Sequence, residues 1–166
     1  MPELLWDASA LVKRYYAESG SATVDVIFDN VPFSQMVATY WGYIETYAAL
    51  VRKRNRGEIT TPALWSSVAA LQTEVLDSLD FRLLTIEDED LLDCIPYVEP
   101  YSLNSADAAI MATYLRYVHD RPPGSITAVL VAADMYLLRA AAAEGIPTLN
   151  PEAVAVADIP VLLASL

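Results

Sequence analysis

The sequence predicts an α/β fold: a central, mainly parallel sheet of about four to five strands, flanked by helices on both faces. Three observations predict it. Short apolar runs such as Leu4-Leu5-Trp6 and Val129-Leu130-Val131 are too brief for helices and alternate with longer segments of helical period. Cap and turn residues punctuate nearly every junction between them. The 166 residues, 55% hydrophobic with only five glycines, suffice for one packed core, so residues 1–166 read as a single domain.

Glu3 to Trp6 reads as a buried first strand, followed by a short helix over Ala10 to Tyr16 and a second over Ala22 to Phe28, entered through Ser21 after Gly20. Gln35 to Ala38 is a second strand, and Thr39 caps a long helix to about Arg56, ended by Gly57. Thr61-Pro62 opens another helix, to about Ser78, because proline suits the first helical turn. Phe81 to Ile86 is a third strand and Asp88 to Ile95 a helix, after which Pro96 and Pro100 predict a loop. Ser105 caps a helix to about Val118, and His119 to Ser125, with Pro122-Pro123-Gly124, is a loop. Ile126 to Ala132 is the most strand-like run, short, apolar and β-branched. Met135 to Glu144 is a helix closed by Gly145 and Pro147, Thr148-Leu149 a last short strand, and Val161 to Leu163 a terminal packing segment.

Composition excludes several functions. The longest apolar stretch, Ile126 to Leu138, is broken by Asp134 and falls short of the ~18 residues of a membrane span. The first residues carry Glu3 and Asp7 where a secretory leader is basic and then apolar, so the expected address is cytoplasmic. Cys94 has no second cysteine to pair with and reads as a small core residue. A net charge of −12 argues against broad binding to a nucleic-acid backbone, so any such partner is admitted locally. The basic residues concentrate in Lys13-Arg14 and in Arg52-Lys53-Arg54-Asn55-Arg56. The larger cluster either satisfies a helix C-terminus or meets a substrate.

Position makes four of the acids informative. On the helix from Tyr40, Trp41, Ile44, Ala48 and Val51 share one face, and Glu45 falls inside that apolar stripe. On the later helix, Ile110, Met111, Tyr114 and Val118 make the core face, and Asp107 stands on it, either capping the first turn or serving a site. Asp7 and Asp134 each follow a buried strand at the start of a helix, as caps or as ligands. In an open parallel sheet the carboxyl ends of the strands form one edge, and ligands bind in the crevice there. Four carboxylates converging on it stay ionised together only with cations between them. Oxygen-only donors select Mg²⁺ or Mn²⁺, and one His with one Cys gives zinc or copper no support. The run Glu87-Asp88-Glu89-Asp90 reads instead as a solvated helix start, since four consecutive acids cannot face one point.

These residues resemble those of the PIN-domain ribonucleases, particularly the VapC-type toxin of VapBC toxin–antitoxin pairs. Leu5-Trp6-Asp7-Ala8-Ser9-Ala10-Leu11-Val12-Lys13 is similar to the family's first strand with its Asp and following Ser. Thr39-Tyr40-Trp41-Gly42-Tyr43-Ile44-Glu45-Thr46 is similar to its Thr- or Ser-opened helix with a Glu six residues on. Asn104-Ser105-Ala106-Asp107-Ala108-Ala109-Ile110 is similar to its Asp-Ala helix start, and Val129 to Leu138 with Asp134, followed by Gly145 and Asn150-Pro151, to its last acidic strand end. Departures fall at Ala8 and Ala132, where the family often carries Thr or Ser, and in a long loop through Pro122-Pro123-Gly124.

The resemblance implies a PIN-like three-layer fold and a catalytic, metal-binding quartet of Asp7, Glu45, Asp107 and Asp134 holding Mg²⁺ or Mn²⁺. Ser9 would support a carboxylate or the phosphate, or simply form a local turn, and Lys13, Arg14, Arg52 and Arg56 are the candidate RNA-binding cations. It also implies a cognate antitoxin partner, a homodimer, and the toxin role in a type II system. A binding module that keeps the fold without turnover, its acidic crevice held by a partner, is the alternative. A phosphatase of the haloacid-dehalogenase type would want a second Asp where Ser9 stands, and a receiver domain would want a late Lys, whereas the only lysines are Lys13 and Lys53.

Overall fold

The computed structural model describes residues 2–122 and 127–165. Five strands form one sheet: β1 (Glu3–Trp6), β2 (Met36–Thr39), β3 (Arg82–Leu84), β4 (Ala128–Val131) and β5 (Thr148–Leu149). They lie in the order β3-β2-β1-β4-β5, and every pairing is parallel. Leu5 sits between Val37 and Leu130 at the centre of the register. Parallel strands need crossovers, and nine helices supply them among the described residues: α1 (Ala8–Leu11), α2 (Ser21–Asn30), α3 (Tyr40–Asn55), α4 (Thr61–Leu71), α5 (Asp88–Asp93), α6 (Ile95–Tyr101), α7 (Ser105–His119), α8 (Met135–Ala143) and α9 (Ile159–Ser165).

Side chains alternate across the pleat, so each strand feeds two cores. Leu4, Trp6, Met36, Ala38, Val129 and Val131 pack on one face with Leu11, Ile27, Leu50 and Leu64. Leu5, Val37 and Leu130 pack on the other with Ile110, Met111, Tyr114, Leu137 and Ala141. Both faces are covered, as buried strands of a parallel sheet require. Among the described residues no helix is long and apolar enough to cross a membrane.

Several local expectations are corrected. The residues after Asp93 form helix α6 instead of a loop, because Pro96 occupies its first turn, where no N–H is needed, and the helix ends one residue after Pro100. Asn104, not Ser105, caps α7, its carbonyl oxygen accepting the N–H groups of Ala106 and Asp107 at 2.9 Å. The helix expected over Ala10 to Tyr16 starts at Ala8 and tightens into a 3₁₀ turn at Val12–Arg14. The terminal segment packs through Ile159 and Leu162 while Val161 is exposed, and the side chain of Leu163 lies outside the description. Residues 123–126, which include part of the predicted proline loop and the start of the predicted fourth strand, also lie outside it.

The largest correction concerns α3. Trp41 and Ile44, expected in the core, are 49% and 55% exposed, and the buried positions of the helix are Gly42, Thr46 and Leu50. Small residues allow the close approach: a Cβ on Gly42 would meet Thr39 Oγ1 at 3.3 Å. Thr46 needs no partner from elsewhere, since its hydroxyl donates to the Gly42 carbonyl at 2.8 Å.

Candidate active site

The chain leaves β1 toward β2 and later returns to its other side at β4, so β1 and β4 flank the point where the winding reverses. A crevice opens at the carboxyl ends of such strands. Asp7 follows β1 and Asp134 lies three residues beyond β4, and each also caps a helix. Asp7 Oδ2 accepts the Ser9 N–H at 2.8 Å and a short hydrogen bond from the Ser9 hydroxyl. Asp134 Oδ1 accepts the N–H groups of Tyr136 and Leu137 at 2.7 and 3.0 Å. The cap and ligand readings are therefore compatible at both residues.

Ser9 joins the two strand ends. Its Oγ donates to Asp7 and accepts the N–H groups of Ala133 at 2.9 Å and Asp134 at 3.2 Å. One hydroxyl thus serves both acids. It lies at a boundary where Ala8 and Ala132 offer none.

The helical acids arrive from opposite faces of the sheet. Thr39 caps α3 by accepting the Gly42 N–H at 2.8 Å, and Glu45 follows in the second turn, half-buried. Asp107 lies in the first turn of α7, where the Asn104 amide donates to its Oδ2 at 2.7 Å. Two turns further on, the Tyr114 hydroxyl donates to the Trp6 carbonyl at 2.7 Å and pins α7 to the residue before Asp7. All four acids line one cleft of about 280 Å³ with Ser9, Asn104 and Arg52.

Crowding changes their proton affinity. The Asp107 carboxyl is pushed up to about 7, first by burial and then by the charges of Asp7, Asp134 and Glu45. Burial raises Asp7, with Asp134 adding to it against the hydrogen bonds from Ser9. Burial and Asp7 raise Glu45, opposed by the Trp41 indole N–H and the Arg52 charge. Mutual repulsion of this kind is relieved by a cation.

The donor set suits a hard cation, being oxygen throughout. Among the described residues no three acidic, His or Cys side chains are drawn together closely enough to grip an ion alone. Cys94 is buried in the core away from the cleft, so zinc gains no ligand there.

The predicted RNA-binding cations divide into two kinds. Lys13 is 4% exposed and paired with Glu18 at 3.0 Å and Glu152 at 2.6 Å, a fixed part of the wall of a second, adjoining cleft of about 450 Å³. Arg14 lines neither cleft: it pairs with Asp25 at 2.9 Å and Glu74 at 3.1 Å and lies over the Phe28 ring. Arg56 pairs with Glu58 at 2.6 Å. Arg52 is exposed, borders both clefts, and makes no ion pair among the described residues. Lys53, the neighbour in sequence, is occupied by Glu18 at 2.6 Å and by the Tyr16 ring.

Two residues escaped the sequence reading. Asn104 orients Asp107, and its signal was a cap residue three places before an acid. Asp90 belongs to the run expected to be solvated, yet it is 2% exposed, bound by Arg116 at 2.7 and 2.8 Å and by the Thr113 hydroxyl at 3.1 Å. Nothing local in the sequence announces Arg116 as its partner.

No family model and no curated protein matches the chain. Solved structures do. PAE2754 from Pyrobaculum aerophilum is 19% identical, with 99% of this chain and 98% of that one covered at a TM-score of 0.61. FitAB bound to the IR36 DNA fragment is 12% identical over 92% and 97%, with a TM-score of 0.63. FitAcB from Neisseria gonorrhoeae is 15% identical over 91% and 99%, with a TM-score of 0.56. At these identities the likeness concerns the fold, and the five-stranded parallel sheet with helices on both faces is the PIN-like fold expected from the sequence.

Proposed function

We propose that the protein is a Mg²⁺- or Mn²⁺-dependent endoribonuclease that hydrolyses RNA phosphodiesters in the four-carboxylate cleft, acting as the toxin of a VapBC-type pair. The observation that carries this is the convergence of Asp7, Glu45, Asp107 and Asp134, each from a different element, on one crevice at the switch point of the sheet. The metal, when bound, supplies water activation and neutralises charge on the leaving oxygen. Asp134 spends Oδ1 on its helix cap and makes no hydrogen bond through Oδ2 among the described residues, which leaves Oδ2 for the cleft. Ser9 fixes Asp7 and, through the Ala133 and Asp134 N–H groups, the spacing between the two strand ends. Arg52, which lines the cleft and makes no ion pair among the described residues, is the group to meet the RNA phosphate.

The same reading includes a cognate antitoxin and a homodimer. FitAB was solved on DNA. With a charge of −12, this chain would reach DNA only through a basic partner. The alternative is a binding module that keeps the fold without turnover, its acidic crevice held by a partner. Cleavage of RNA by partner-free protein with Mn²⁺ decides between them. Asp7→Asn and Glu45→Gln are expected to lower that cleavage by at least ~100-fold, since loss of even a supporting contact at a metal site costs roughly 10- to 100-fold. Both variants should stay folded by circular dichroism. Unchanged Mn²⁺ affinity of Glu45→Gln in calorimetry would remove Glu45 from the site.

A further inference from the structure

We infer that the apolar groove beside the acidic cleft receives an unpaired nucleobase of the RNA, stacked on the Trp41 indole and adjacent to the phosphodiester being cut. This rests on the ribonuclease reading. The groove encloses about 350 Å³ and is lined by Trp41, Ile86, Leu91, Ser105, Ala106 and Ala109. Ser105 and Ala106 stand between Asn104 and Asp107, both of which line the acidic cleft. Trp41 lies four residues, about 6 Å along the axis, before Glu45, so the two depressions share α3 and the start of α7 as walls. A nucleotide bridges such a span between its phosphate and its own base.

The chemistry of the two depressions is complementary to the two ends of a nucleotide. The cleft carries oxygen donors and Arg52, for a metal and a phosphate, whereas none of the described residues lining the groove is charged and one of them is the aromatic Trp41. Trp6 is fully buried in the core, whereas Trp41 keeps 49% of its surface exposed while its indole N–H hydrogen-bonds the Glu45 carboxylate of the acidic cleft, which holds the ring at the join of the two depressions. Stacking on aromatic side chains is how single-stranded RNA is held without reading its sequence.

The test uses the full chain in EDTA, where no cleavage occurs, and a random-sequence single-stranded oligoribonucleotide alongside the same backbone made entirely abasic. Trp41→Ala should weaken binding of the intact oligonucleotide by roughly 5- to 100-fold, Trp41→Phe by much less, and neither should alter binding of the abasic backbone. With Mn²⁺, losing the indole N–H that bonds the Glu45 carboxylate should lower kcat alike in Trp41→Ala and Trp41→Phe, whereas KM for intact RNA should rise in Trp41→Ala and much less in Trp41→Phe. Equal losses on intact and abasic RNA, or intact binding by Trp41→Ala, would overturn the inference. So would a Trp41→Ala protein that loses only a dimer in ultracentrifugation, which would give the groove to a second copy. If the unaltered protein cleaves RNA but Trp41→Ala binds normally, the inference alone fails; if the unaltered protein cleaves no RNA, the ribonuclease reading fails first.

Discussion

Asp90 and Asp107 stand on helices that pack against each other, the first buried and the second partly so, yet they are opposite cases. Around Asp90, burial pushes the pKa up, but Arg116, the Glu87 N–H and the Thr113 hydroxyl outweigh it and leave the carboxyl below its ordinary value. Around Asp107, burial acts with three further carboxylates, opposed by the hydrogen bond from Asn104. The first acid is fully satisfied by the protein and holds α5 to α7. The second keeps one hydrogen bond, from Asn104, and stands among like charges, and it is there that the proposed cation would bind.

The comparison breaks if Asp90 proves dispensable. Asp90→Ala removes two Arg116 contacts, the Thr113 hydrogen bond and the bond to the Glu87 N–H. A fully buried pair costs ~3–5 kcal/mol when one partner goes. The Arg116 side chain is 35% exposed and finds water, so the expected loss is about 2 to 4 kcal/mol, read by urea denaturation without metal. RNA cleavage under native conditions should be unchanged.

How far this contrast was legible depended on distance along the chain. Asp7 and Asp134 were visible because an apolar run, an acid and a helix start are adjacent in sequence, and the parallel sheet brings such ends to one edge. Glu45 was found through an apolar stripe of which Trp41 and Ile44 proved exposed, while Val51 packs on the core. The buried face of α3 is Gly42, Thr46 and Leu50, where close approach to the sheet favours small residues over apolar ones, and hydropathy carries no record of that. Asp90 was misread, and the buried pairing of Lys13 went unseen, because Arg116 is 26 residues from the first and Glu152 is 139 from the second. Ion pairs of that kind are tertiary facts. The bare indole of Trp41 was likewise hidden, since an apolar residue at helical spacing is usually core.

The two acids should also pull stability in opposite directions with pH. Asp107 titrates near 7 when folded against 3.8 ordinarily, so between about pH 4 and 7 the folded protein holds the proton that the unfolded chain has lost, and stability falls as pH rises through that window. Asp7 and Glu45, also raised, add to the same trend. Asp90 is lowered, so its contribution is present above 3.8 and is lost only as pH falls through its folded value. Discounted for the partial exposure of Asp107, the loss assigned to it is of order 1 to 2 kcal/mol. Denaturation of the metal-free protein across that range should show the decline. Asp107→Asn should flatten it, and saturating Mn²⁺ should reverse it. A profile identical in Asp107→Asn and the unaltered protein would show that the crowding of this acid is relieved by some other means.

The smallest effect separates the cations as the first comparison separates the acids. Arg56 is paired with Glu58, whereas Arg52 borders both clefts without an ion pair among the described residues, so a sequence cluster that looked uniform divides into one occupied and one available charge. Each phosphate contact to a single strand contributes roughly 0.7 to the slope of log affinity against log salt. Arg52→Ala should therefore lower that slope by about 0.7 and weaken RNA binding at low salt, while Arg56→Ala should change it little. Cleavage of saturating RNA should persist in both. Both residues also lie at the C-terminal end of α3, where a cation interacts favourably with the helix dipole by about 0.3 to 1 kcal/mol at low salt. If Arg52 serves only that end, Arg52→Ala loses stability of this size and keeps its salt slope, and the phosphate contact passes to another residue. Measuring slope and stability on the same two variants separates a charge that holds the helix from one that holds the substrate.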